Sequence, residues 1–176
     1  ILWLIQNIDR NMVIDADGLN ALSDKAKVLH KIKRQAVLTP HPGEMSRLAG
    51  LDSAKDVQKD RLNTASQFVQ SIQKKLNNER RLILVLKGDK TIVADSDKVY
   101  VNRTGNPGMA TAGTGDVLTG IIASLIGQGY DVFDASQLGV YIHGLAGDIA
   151  ANKKGEPSMI ASDIIEYLPD AFIKYN

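Results

Sequence analysis

The segment NPGMATAGTGDVLTG, Asn106 to Gly120, sets a side-chain-poor loop directly before an apolar, helix-like run, with the carboxylate of Asp116 at the junction. Glycines let a backbone approach a ligand closely and take φ > 0. The first amides of a following helix lack intrahelical partners, and the helix dipole there favours an anion. Val117, Leu118, Ile121, Ile122, Leu125 and Ile126 give that helix a wide apolar face to hold it rigidly. Ala112, Gly113, Thr114 and Gly115 are therefore a candidate anion hole, with the carboxylate of Asp116 beside it. A plainer reading makes Thr114 an N-cap and Asp116 a complement to the dipole. It leaves Gly105, Gly108, Gly113 and Gly115 together without a reason. The loop is neither a phosphate-binding Walker loop nor a dinucleotide fingerprint. No Lys-Ser/Thr follows the last glycine, and position 118 is Leu.

In open α/β sheets ligands collect at the carboxyl ends of strands. Three apolar runs here end in polar clusters: Asp15, Asp17 and Asn20 in MVIDADGLN; Thr39, His41 and Glu44 in VLTPHPGE; Lys87, Asp89, Lys90 and Thr91 in LVLKGDKT. Phosphoryl transfer needs such parts: a cation, carboxylates for Mg2+, a base and a backbone cradle for the phosphate. Each residue also has a structural use. Asp15 or Asp17 can cap the next helix. His41, between two prolines, can be a turn residue, and Glu44 can sit in a helix first turn. Lys87 can simply end a strand, since Lys-Gly-Asp suits a turn. His30 and His143 fall on helical patterns and read as surface or core. The shared placement of the polar clusters, rather than any one residue, points to chemistry.

Positioning these clusters requires strands alternating with helices. Met12–Ala16, Ala36–Pro40 and Arg81–Gly88 read as strands, the last apolar on both faces as in a covered parallel sheet. LNALSDKAKVLHKI reads as a helix, a short helix starts near Pro42, and a long one is expected from Ser53 to Asn78. Its inner stripe is Ala54, Val57, Leu62, Ala65, Phe68, Val69, Ile72 and Leu76. TIVADSDKVYVN reads as a hairpin turning at Asp95–Asp97. Helices follow at Asp116–Gly127, Ala135–Lys153 and from Ala161. The pattern predicts a three-layer α/β domain, with a mostly parallel central sheet flanked by helices and an inserted β-hairpin.

A length of 176 residues suits a single domain over residues 1–176. The absence of cysteine excludes disulfide and thiol chemistry. A net charge of +1 supplies no field for nucleic acid or an acidic membrane. No apolar run approaches the roughly 20 residues that span a bilayer, and no secretory signal pattern is present. Ile1, Leu4, Ile5 and Ile8 share one helical face at a start that is not Met. The expectation is that the domain lacks its amino-terminal part here.

VIDADGLN, LTPHPGE, VLKGDKT and NPGMATAGTGDVLTG, in this order, resemble the ADP-dependent NAD(P)H-hydrate dehydratases of the ribokinase-like superfamily. The resemblance covers nearly the whole chain; its last motif is the most specific, and GMATAGTGD is similar to the bacterial, ADP-using branch. It implies a ribokinase-like domain that restores hydrated NADH or NADPH (NADHX, NADPHX), with ADP as phosphoryl donor and AMP and phosphate as products. It further implies that His41 and Asp116 contact the hydrate, Asp116 being catalytic. Lys87, Gly88, Asp89, Lys90, Thr91 and Gly115 would bind the adenine nucleotide. Glu44 alone would carry over toward Mg2+, through water. The implied protein is a cytoplasmic homo-oligomer acting on small molecules, with neither nucleic acid nor membrane as partner.

Two other readings stay open at this point. A ribokinase-like vitamin kinase, acting on a hydroxymethylpyrimidine or hydroxyethylthiazole alcohol, shares the domain pattern, but TPH stands here where those kinases have TPN. A nucleotide-sensing module without catalysis would have no need of Asp116. Whether an epimerase domain precedes Ile1, and which hydrate is preferred, the sequence leaves open.

Overall fold

The computed structural model describes residues 1–77 and 80–175. They divide into two compact units, Ile1–Val101 and the segment from Asn102 onward.

The first unit is built on a five-stranded sheet in the order β1-β2-β3-β4-β5. Its strands are β1 (Met12–Ile14), β2 (Ala36–Leu38), β3 (Leu82–Leu86), β4 (Ile92–Ala94) and β5 (Val99–Val101). β1, β2 and β3 pair in parallel, with Val13 opposite Val37 and Val37 opposite Ile83. β4 pairs antiparallel with β3 and β5 antiparallel with β4. The expected hairpin is thus present, and it extends the main sheet. Asp95 makes its turn, because Oδ1 accepts from the amides of Asp97 and Lys98 at 2.8 and 2.7 Å.

Every residue of β3 is fully buried. Leu82, Leu84 and Leu86 face a core with Leu38, Met45, Ala65 and Val69. The alternate residues Val37, Ile83, Val85 and Val93 are equally buried. Both faces of the sheet are therefore covered, as a layered α/β architecture requires. Truncating Leu84 to Ala would cost about 2–5 kcal/mol.

The helices of this unit are α1 (Leu2–Asn7), α2 (Asp17–Asn20), α3 (Pro42–Ala49), α4 (Ala54–Lys59) and α5 (Arg61–Gln73). Two expected helices are corrected. Leu19–Ile32 is the single turn α2 followed by a 3-10 helix, Ala26–Lys31. The break coincides with Asp24, a non-glycine residue at φ 59, a conformation an α-helix does not admit. Leu19, Leu22 and Leu29 are still buried, so the apolar spacing reports burial rather than one continuous helix. The run expected from Ser53 is divided at Asp60, whose backbone leaves the helical region (φ −153, ψ 78) and whose side chain caps α5 by accepting from Asn63 N at 3.0 Å. Leu62, assigned to the inner stripe, is 48% exposed. Asn78, the expected end of that helix, lies outside the described residues.

The second unit is helical: α6 (Thr114–Gly127), α7 (Val132–Lys154), α8 (Ala161–Glu166) and α9 (Leu168–Tyr175). Leu118, Ile121, Ile122 and Leu125 are buried on α6. α7 starts three residues before its expected position, because Asp131 caps it by accepting from Phe133 N at 2.9 Å. Ile142, Leu145, Ala146 and Ala150 of α7 pack with Met159, Ile164 and Ala171. Among the described residues no helix is long and apolar enough to cross a membrane.

Candidate functional site

In the first unit the three polar strand ends are stitched together by the backbone. Thr39 N donates to Ile14 O at 3.2 Å, and Lys87 N donates to Pro40 O at 2.9 Å. Asp15, after β1, accepts from Lys87 Nζ at 2.8 Å, and the two side chains are only 9% and 21% exposed. The same Asp15 oxygen accepts from Ala16 N at 2.8 Å. Asp15 is therefore an ion-pair partner and no helix cap; α2 has no side-chain cap at all. Ala16 itself sits at φ 47, a costly conformation for a residue with a Cβ.

His41 and Glu44 form a reciprocal capping box at the start of α3. His41 Nδ1 accepts from the amides of Gly43 and Glu44 at 3.0 and 3.3 Å, and Glu44 Oε2 accepts from His41 N at 2.8 Å. Nδ1 accepts, so the proton of the neutral ring sits on Nε2, 3.5 Å from Glu44 Oε1. The His41 side chain is half exposed, while Glu44 is buried. Pro42 fits the first helical position, where no amide is needed.

Lys87, Gly88, Asp89, Lys90 and Thr91 are the connection between β3 and β4. Gly88 takes φ 133 and Lys90 φ 51. Thr91 Oγ1 donates to Gly88 O at 3.0 Å. Arg61, the first residue of α5, donates from Nη2 to Leu86 O at 3.0 Å and to Lys87 O at 3.2 Å, and from Nη1 to Asp89 O. One planar guanidinium thereby holds three carbonyls of the turn. Burial pushes the Arg61 pKa down, and Asp89 opposes that shift. The sequence carries no signal for Arg61, which sits in a polar helical run with nothing to mark its partner.

In the second unit Gly113 caps α6 in the left-handed region at φ 87. The first intrahelical bond runs from Val117 N to Gly113 O at 3.1 Å. The amides of Gly115 and Asp116 precede it and have no acceptor within the helical ladder. Thr114 is not the cap: Oγ1 lies 2.9 Å from Met109 O and from Thr111 O, tying the loop to itself. Asp116 is exposed in the first turn. It lines a cavity of about 530 Å³ with Val117, Ile121, Leu125, Leu168 and Phe172, where Ser124 and Gln128 are the other polar groups.

The loop is held from α7. Asp148 Oδ2 accepts from Gly105 N at 2.9 Å and Oδ1 accepts from Asn106 Nδ2 at 3.0 Å. His143 Nε2 lies 3.0 Å from Thr114 O; a carbonyl only accepts, so that nitrogen carries the proton. His143, which reads as surface or core in the sequence, thus touches the glycine loop. Gly144 and Gly147 were the available signal. A Cβ on Gly144 would stand 2.7 Å from the Thr104 carbonyl oxygen, and two glycines inside a helix usually mark a close backbone approach.

A family model described as NAD(P)H-hydrate dehydratase matches residues 1–170. The chain belongs to the NAD(P)H-hydrate dehydratase family. It is 48% identical over 167 residues to a bifunctional NAD(P)H-hydrate repair enzyme of Moorella thermoacetica, covering 94% of this chain and 30% of that one. It is 43% identical over 155 residues to an ADP-dependent (S)-NAD(P)H-hydrate dehydratase of Neisseria meningitidis, covering 86% and 49%. Among solved structures it is similar to the ADP/ATP-dependent NAD(P)H-hydrate dehydratase of Bacillus subtilis, co-crystallized with ATP/Mg2+. There the TM-score is 0.83 at 28% identity, over 98% of this chain and 57% of that one. The chain thus spans between 30% and 57% of the length of these relatives. The family's ribokinase-like fold extends to a ribokinase, which shares the fold alone.

The NAD(P)H-hydrate dehydratase family resemblance implies Mg2+ beside the nucleotide. Glu44 is buried, with Oε2 accepting from His41 N at 2.8 Å and Oε1 3.5 Å from His41 Nε2. Among the described residues no group of three or more His, Asp or Glu is arranged to hold a metal. A Mg2+ ion carried by nucleotide phosphates needs only one or two protein carboxylates, and Glu44 would reach it through water.

Proposed function

We propose that this chain carries the ADP-dependent dehydration of hydrated NADH and NADPH. The observation that carries the reading is the start of α6. Gly113 caps α6 in the left-handed region, the amides of Gly115 and Asp116 have no acceptor within the ladder of a helix whose apolar face is buried, and Asp116 stands in the same turn. That is an oxyanion cradle with a carboxylate base beside it.

The chemistry follows from those parts. Asp116 takes the proton of the hydroxyl on the hydrate's ring. The freed oxygen attacks the terminal phosphorus of ADP, the bond to the bridging oxygen breaks, and AMP leaves. The amides of Ala112, Gly113, Gly115 and Asp116 hold the charge on the phosphoryl oxygens, while the amide of Thr114 is taken by Thr111 O at 3.4 Å. Hydroxide leaves a carbon poorly and phosphate leaves well, so loss of phosphate and of a ring proton restores the dihydropyridine. By the family resemblance Lys87, Gly88, Asp89, Lys90 and Thr91 would bind the nucleotide; within the first unit Asp15 orients Lys87 and Arg61 fixes the turn. His41 contributes its half-exposed ring to the hydrate. Mg2+ accompanies the nucleotide, with Glu44 contributing at most through water, and no step runs through a protein-held metal. The reading places the enzyme in the cytoplasm, on small molecules alone, as a homo-oligomer, and as a single ribokinase-like domain.

The test is direct. Purified protein with ADP, Mg2+ and hydrated NADH should regain the absorbance of reduced nicotinamide and release AMP and phosphate in equal amounts. Accumulation of a stable phosphomonoester from a pyrimidine or thiazole alcohol, without that recovery, would favour a vitamin kinase instead.

A further inference from the structure

The glycine loop owes its shape to a helix that contributes nothing to the proposed chemistry. α7 meets the loop along one face: Tyr141, Gly144, Gly147 and Asp148. Thr104 Oγ1 donates to Tyr141 O at 2.9 Å. Gly144 leaves room for the Thr104 backbone, and Gly147 leaves room for Met109. Asp148 then takes both donors at the loop entrance, Gly105 N and Asn106 Nδ2, with its two oxygens. At the exit, His143 takes the carbonyl of Thr114, one residue before Gly115. Both ends of the loop are fixed to one rigid rod, five residues apart on its axis.

We propose that Asp148 is a positioning residue for the phosphoryl cradle, acting through Gly105 and Asn106, with His143 fixing the opposite end. The inference rests on the reading that Ala112–Gly115 hold the transferred phosphoryl. The physical argument is one of preorganisation. Gly105 has φ 105 and a loop rich in glycine has many alternative conformers. Hydrogen bonds to an ionised acceptor are stronger than neutral ones, and a carboxylate accepting two of them selects one conformer. Asn106 Oδ1 is buried without a hydrogen-bond partner, so the Asn106 amide group is oriented by Asp148 alone among the described residues. A cradle misplaced by about 1 Å costs on the order of 10²-fold in rate, while the affinity for the nucleotide as a whole changes far less.

The experiment uses the full chain and three forms: unaltered, Asp148→Ala, and the exchange Asn106→Asp with Asp148→Asn. In the exchange, the new carboxylate at 106 accepts from the new amide at 148, whose oxygen still accepts from Gly105 N. Amide hydrogen exchange of residues 105–116 is read without ligand, then kcat and KM for ADP. Asp148→Ala is expected to speed loop exchange at least about tenfold and to lower kcat about 10²-fold, with KM for ADP changed by less than about fivefold. The exchange variant is expected to regain slow amide exchange and most of kcat. Unchanged loop exchange in Asp148→Ala would overturn the proposal, as would an exchange variant no better than that single variant. Should Asp148→Ala fail to fold, the exchange variant decides alone, through the same loop amides. An unaltered chain without turnover removes the functional reading, whereas the amide exchange still judges the role of Asp148.

Discussion

Lys87 Nζ lies 2.8 Å from Asp15 Oδ1, joining the ends of β3 and β1 across the intervening β2. Neither residue is near the other in sequence, and neither side chain is well exposed. Under the proposed function, the pair makes Asp15 a support for the lysine assigned to the nucleotide. Asp15→Asn and Lys87→Met should each destabilise the protein, with a coupling of about 1.5–3 kcal/mol in a double-mutant cycle. Denaturant unfolding measures it; strictly additive effects would mean the contact contributes nothing. Lys87→Met should also weaken ADP binding, read by calorimetry.

Asp116→Asn should retain ADP binding and lose turnover by about 10²-fold or more. The amide keeps the shape of the carboxylate and cannot take the proton. Near-parental turnover would assign the base elsewhere.

The glycines of the second unit separate into two kinds. Gly120 has open space where a Cβ would go, and Gly144 has the Thr104 backbone. Gly120→Ala should raise stability by up to about 1 kcal/mol through helix propensity. Gly144→Ala should lower it by about 1–3 kcal/mol, the overpacking cost outweighing the same propensity gain. Thermal melts of both variants settle the contrast, and Gly144→Ala should also speed amide exchange at Thr104 and Gly105.

The junction of α7 and α8 should carry a measurable pH dependence. Asp163 accepts from Lys154 Nζ at 2.7 Å and from Ile160 N at 2.8 Å. The lysine first, then the amide, hold its pKa below the usual carboxylate value. The depressed value means a stabilisation present above about pH 3.9 and lost as pH falls through the folded-state value. Lys154 is raised above the usual lysine value by Asp163 and then Glu166. Its stabilisation is present below about pH 10.4 and lost as pH rises through the raised value. Melting temperatures of Asp163→Asn should fall below the parental ones at neutral pH and converge with them in acid. A constant gap down to about pH 2 would contradict the assignment.

Much of the fold is legible in the chain, for identifiable reasons. Five successive buried residues, Leu82–Leu86, state a strand covered on both faces. Asp95 and Asp97 between two short apolar runs state a hairpin. Pro42 after His41 states a helix start. The long helix expected from Ser53 was not legible as two, because Asp60 can equally lie inside a helix or cap one, and only its backbone conformation decides. The 3-10 segment Ala26–Lys31 escaped for a related reason: Leu22 and Leu29 are buried in either geometry.

By itself, the sequence determined the chemistry available: a glycine loop before an apolar helix, one carboxylate at its first turn, and polar residues at three strand ends. Those are local properties, set by residue types a few positions apart. Only the tertiary structure decided how those groups are held. Asp15 turns to Lys87, Arg61 to the carbonyls of the turn, Asp148 to Gly105 and Asn106, and His143 to Thr114. Each of these contacts joins residues between 25 and 72 positions apart. Their directions depend on how strands and helices pack, which no local pattern along the chain records.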